Sequence, residues 1–145
     1  MERMADHAAG IGVLARRLNK EPELKPLVDI PRMAEIGRGM LRHSLDAYIT
    51  MDSQLATETA KEDKKINLLN EQVLRELLTY MIADPATIQR GTYLLWIAHN
   101  LERVGDRAKN ICERVIYVAS GQLFDFDSQP ENEEDPNSYD ILPAL

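Results

Sequence analysis

One cysteine, one tryptophan and two phenylalanines are all that this 145-residue chain has of those types, and each scarcity removes a class of explanation. A lone Cys112 cannot close an intramolecular disulfide; it fits a reducing, cytoplasmic setting and is expected to pack as a small apolar residue. No apolar run is longer than residues 93–98, far short of the roughly 20 residues a spanning helix needs, and no signal peptide is visible. Work at a membrane would therefore go through a partner, with no insertion of this chain. No glycine-rich phosphate loop, nucleophile elbow or Cys-x-x-Cys occurs, and no Glu-x-x-His of a ferritin-like di-iron site, so the reading is non-enzymatic. Basic excess is missing too. The net charge is −7, and residues 121–145 hold seven acids with no Lys or Arg, leaving 17 acids against 17 bases elsewhere. The body of the chain has no field that would recruit nucleic acid.

What the sequence does have is helix-forming periodicity. At 44% hydrophobic and 28% charged residues it supports one compact domain of ordinary composition. A first helix runs from about Met1 to Leu18 and stops before a segment with Pro22 and Pro26. A second starts near Pro31, at a first helical position, and reaches about Met51. Asp52 caps a third over 54–82, whose Ile66, Leu69, Val73, Leu77 and Met81 recur at three and four. Asp84 and Pro85 open a fourth, over 85–119, with a seam at Leu94, Ile97, Leu101, Val104, Ala108, Ile111, Val115 and Val118. Met4, Ala8, Ile11, Ala15 and Leu18 share that phase on the first helix. The fold class is all-α: an antiparallel three-helix bundle with one extra N-terminal helix. That helix should pack on its own bundle or on a second copy, which favours a homodimer. Trp96 is expected in the core, Arg16 and Arg17 as a solvated pair, and His7, His43 and His99 at surface or boundary positions. The acidic end, 121–145, reads as a solvated, disordered tail. Within it Leu123, Phe124 and Phe126 are able to fold back, and residues 139–142 could form a short partner motif.

The chain repeats itself at an offset of 100. Glu2, Arg3, Asp6, Ala8 and Ile11 recur as Glu102, Arg103, Asp106, Ala108 and Ile111, so both copies carry Glu-Arg-x-x-Asp, and the first copy reads as the end of a preceding unit. Glu102 and Asp106 stand four apart, about 6 Å at their β-carbons, on one helical face. Two carboxylates so close repel unless a hard cation such as Mg2+, Ca2+, Mn2+ or ferric iron lies between them. Off the seam, they form a surface site in this reading. Asp63 and Asn67, also four apart, could complete an oxygen-rich patch beside them. The plainer reading is a solvated face of local ion pairs.

Leu101-Glu102-Arg103-Val104-Gly105-Asp106-Arg107-Ala108, preceded by Arg75-Glu76-Leu77-Leu78-Thr79-Tyr80-Met81 and Asp84-Pro85 and followed by Ile116-Tyr117, resembles the PhoU family of phosphate-signalling regulators. The likeness runs from Met1 to about Gly121. It implies two similar three-helix bundles with metal at Glu/Asp-x-x-x-Asp motifs. Residues 1–18 would then be the last helix of an incomplete first bundle, 19–30 a linker and 31–120 a complete second bundle. It also implies a divalent or ferric ion (Fe, Mn, Mg or Zn) at Glu2 and Asp6 in the first site, and at Glu102, Asp106 and Asp63 in the second, with Asn67 where an acid is more usual. The implied partners are the ATPase subunit of a phosphate ABC transporter and a sensor histidine kinase. Two rival readings are a metal-binding or metal-storage bundle and a bare helical dimerisation module.

Overall fold

The computed structural model describes residues 2–121 and Phe126; the remainder of the acidic tail, with Leu123, Phe124 and residues 139–142, lies outside the described residues. Five α-helices follow in order: α1 (Glu2–Leu18), α2 (Asp29–Thr50), α3 (Ser53–Lys61), α4 (Asp63–Ala83) and α5 (Ile88–Ser120), with a single 3-10 turn at Pro85–Thr87 before α5. α2, the α3–α4 pair and α5 form the expected antiparallel three-helix bundle. α1 lies along α5 of the same chain and runs opposite to it. His7 Nδ1 is 2.9 Å from Asn100 Oδ1, while ten residues further on the Arg17 guanidinium lies 5.8 Å from the Tyr93 ring centre, towards the other end of α5.

Local chemistry sets the turns. Met51 closes α2 in the left-handed region at φ 53°, and Asp52 caps α3 by accepting from the Gln54 and Leu55 amides at 3.0 and 2.9 Å, which satisfies two of the four donors a helix start leaves unpaired. Asp84 accepts from the Ala86 amide at 3.0 Å in the same way. Pro31 is the third residue of α2 and not its first; its missing N–H still falls among the unpaired donors, so the helix loses no bond.

The third expected helix is broken. Glu62 stands as a turn between α3 and α4, its amide bonding back three residues to the Thr59 carbonyl at 3.2 Å. Residues 61–65, Lys-Glu-Asp-Lys-Lys, hold no glycine or proline to announce the break. Its counterpart is a division of the core. Met33, Met40, Ile66, Leu69, Val73, Leu77, Leu94, Ile97 and Leu101 form the large cluster, joined by Met4 and Leu14 of α1. Ala47, Ala56, Ala60, Cys112, Val115 and Ile116 form a smaller one, against which Leu55 and Phe126 pack. α3 serves the small cluster and α4 the large one. Phe126 therefore does fold back onto the bundle.

α5 touches every other element, so its buried face is wider than one seam. Besides Leu101, Ala108 and Val115 of the expected seam, Ala98, Gly105 and Cys112 are buried, which widens the face to one side, while Val118 is 64% exposed. Trp96 is 53% exposed: the six apolar residues 93–98 cover every side of a helix, and one side must face out. On α1 the inward residues are Met4, His7, Gly10, Ile11, Leu14, Ala15 and Leu18, with Ala8 exposed. Arg17 is exposed but lies over Tyr93 in a cation–π contact.

Cys112 is fully buried, and burial pushes its thiol up from 9.0 to about 11. A raised folded value means that this group's contribution is complete below pH 9.0 and is lost as pH climbs through about 11, at up to about 1.4 kcal/mol per pH unit. Urea denaturation should show this alkaline loss in the native sequence and a shallower one in Cys112→Ala. Alkylation of Cys112 at pH 8 should be slow until urea unfolds the chain.

Candidate functional site

The break at Glu62 places Asp63 at the first turn of α4, and α5 receives it at Gly105. Asp63 is 3% exposed. A β-carbon on Gly105 would lie 3.1 Å from Asp63 Oδ1 and 2.9 Å from Ile66 Cδ1, so any larger residue would force these two side chains to shift. One turn further along α5, Lys109 Nζ sits 3.0 Å from Asp63 Oδ2, both side chains being more than nine-tenths buried. Asn67 Nδ2 donates to the same oxygen at 3.2 Å. Burial raises the Asp63 carboxyl above its ordinary range; Lys109 opposes that shift, and the nearby Asp106 carboxylate adds to it.

Glu102 and Asp106 lie on the same face of α5 at the bundle's flank, their side chains 22% and 24% exposed. Arg103 Nη1 donates to Asp106 Oδ2 at 3.2 Å. Glu102 Oε2 has His99 Nδ1 at 3.0 Å on its own helix, yet no hydrogen bond of good geometry. α4 and α5 are antiparallel, so Asn67, one turn on from Asp63, is level with the Glu102 end of the motif. Among the sequence-derived candidates, the structure thus gathers Asp63, Asn67, Glu102 and Asp106 along one α4–α5 border. It buries Asp63, which the sequence placed at the surface. Glu2 and Asp6 are exposed on α1.

For a hard cation, three features of this border matter. Asp63 Oδ1, Asn67 Oδ1 and Glu102 Oε2 are buried oxygens without a hydrogen-bond partner, the donor type such an ion uses. Against that, Lys109 already supplies a positive charge to Asp63, and Arg103 supplies one to Asp106. Among the described residues no three or more of His, Cys, Asp and Glu are grouped to hold a metal. With Lys109 in place the residues do not fit a multivalent ion.

Lys109 and Gly105 were not recognised as site residues from sequence. Their signal is faint: the small residues Ala98, Gly105 and Cys112 form a second buried row, and Lys109 stands beside it, where a solvated lysine would not.

A PhoU domain model matches residues 30–115, which covers α2 to α5 up to Val115. Phosphate-specific transport system accessory protein PhoU homologues are similar in sequence: that of Pseudomonas putida is 39% identical over 122 residues, 83% of this chain and 48% of that protein. That of Caulobacter vibrioides is 40% identical over 123 residues, 84% of this chain and 54% of that protein. The chain spans about half the length of the curated relatives it matches. The crystal structure of PhoU from Pseudomonas aeruginosa superposes with a TM-score of 0.80 at 36% identity, over 83% of this chain and 58% of that one. The phosphate transport system regulatory protein PhoU from Streptococcus pneumoniae gives 0.74 at 30% identity, over 86% and 58%.

Gly105→Ala should lower stability by about 1–2 kcal/mol: overpacking costs about 1–3, and removal of a helical glycine returns up to about 1. Gly39→Ala, where an added β-carbon meets nothing within 4 Å, should instead stabilise. Urea midpoints of the two variants moving in the same direction would contradict the close approach at Gly105.

Proposed function

The chain belongs to the PhoU family, and from that membership we propose that it is a non-enzymatic regulator of phosphate uptake and phosphate-starvation signalling, working in the cytoplasm. The observation that carries this reading is the domain match across residues 30–115, together with relatives named as accessory proteins of a phosphate-specific transport system. A regulator of this kind acts by holding a partner in one state, which requires unequal affinity for the partner's states. The partners in this proposal are the ATPase subunit of the phosphate transporter and a sensor histidine kinase, bound by a homodimer of this protein. No described helix is long and apolar enough to cross a membrane, in keeping with an accessory role through such a partner. Leu74, Leu78 and Ile82, an exposed row at four-residue spacing on α4, support a mode of action by protein contact.

Removing the gene should leave phosphate-responsive promoters active in phosphate-rich medium, and returning it should silence them. Promoters that stay silent in the deletion strain at high phosphate would contradict this function without touching the fold.

A further inference from the structure

A buried carboxylate has three routes to neutrality: a proton, a metal ion or a basic side chain. At Asp63 the third is in place, since Lys109 Nζ at 3.0 Å and Asn67 Nδ2 at 3.2 Å both address Oδ2. Oδ1, buried against Gly105, has no hydrogen-bond donor. We infer that Lys109 is this chain's built-in cation, holding at Asp63 the place that a hard metal ion would otherwise take.

The geometry accounts for both sides of that choice. A divalent ion near Asp63 would meet the Lys109 ammonium in a water-poor setting, where like charges repel strongly. The Lys109 side chain is only 7% exposed, and Ala108 before it and Cys112 one turn on are fully buried, so the ammonium has no ready way out to solvent. If the ammonium is removed, the Asp63 carboxylate is left with the Asn67 amide and the nearby Asp106 carboxylate, oxygen donors of the kind Mn2+ or Mg2+ takes. The buried oxygens of Asp63 and Asn67 that accept no hydrogen bond are then the ones left for the ion. This inference stands on the side-chain geometry and not on the phosphate reading, so metal titration and promoter activity fail independently.

The test compares the native sequence with Lys109→Gln, Lys109→Met, and Lys109→Gln combined with Asp63→Asn. MnCl2 is titrated calorimetrically, and thermal unfolding is followed in EDTA and in Mn2+. The native protein should give no site-specific heat and no Mn2+-dependent rise in Tm. Lys109→Gln should bind Mn2+ tighter by about tenfold or more and gain Tm with the metal, and adding Asp63→Asn should abolish both effects. Should either single variant be unfolded in EDTA, refolding on addition of Mn2+ supports the inference and failure to refold overturns it. Equal Mn2+ affinity in the native protein and in folded Lys109→Gln also overturns it.

Discussion

The buried ion pair between Asp63 and Lys109 is the constraint around which the rest of this bundle is arranged, because a carboxylate placed where Asp63 lies is tolerated only with a partner. The partner is 46 residues away in sequence, on α5, and reaching it requires α4 to begin close against that helix. Gly105 permits the approach. The break at Glu62 sets the direction from which α4 arrives, at the cost of helix continuity between α3 and α4. On both helices the pair falls between the two apolar clusters: Asp63 lies between Ala60 of the small cluster and Ile66 of the large one, and Lys109 between Ala108 and Cys112. Ser44, fully buried on α2 and donating to the Leu41 carbonyl at 2.8 Å, likewise lies between Met40 and Ala47. By position along each helix, the bundle carries one polar level between two apolar ones.

Such a level contributes little net stability, since the attraction within a buried pair is largely offset by desolvation of both charges. Stability comes from the apolar clusters on either side, at about 1.5–3 kcal/mol for each large side chain removed from water. What the polar level adds is register. If α4 slid by one turn against α5, Asp63 would lose Lys109, and two charges would be buried alone. The same level stands next to the largely buried Glu102 and Asp106, so the repeated acidic motif borders the most strongly determined part of the bundle.

The helices were legible in the sequence because their signals are local. Asp52 and Asp84 cap where their positions imply, and Ile66, Leu69, Val73 and Leu77 are buried as their spacing implies. The carboxylates of Glu102 and Asp106 share one flank of α5. Periodicity fixes the phase of a helix but not the number of its neighbours. For that reason the second buried row of α5, the exposure of Trp96 and the inward turn of His7 in place of Ala8 were not visible. The Lys-Glu-Asp-Lys-Lys stretch at 61–65 reads as solvated by every local measure. Only a residue on another helix makes Asp63 a core residue, and no spacing rule within α4 can point to Lys109.

The polar level depends on the coupling of Asp63 to Lys109, and a double-mutant cycle on the two measures it directly. Asp63→Asn, Lys109→Met and the combined variant would be unfolded in urea beside the native protein. Lys109→Met should cost about 3–5 kcal/mol by leaving a carboxylate buried alone, while the combined variant should recover most of that loss, giving a coupling of about 3 kcal/mol or more. A coupling within about 0.5 kcal/mol of zero would mean that the two residues act independently, and the polar level described here would not exist in solution.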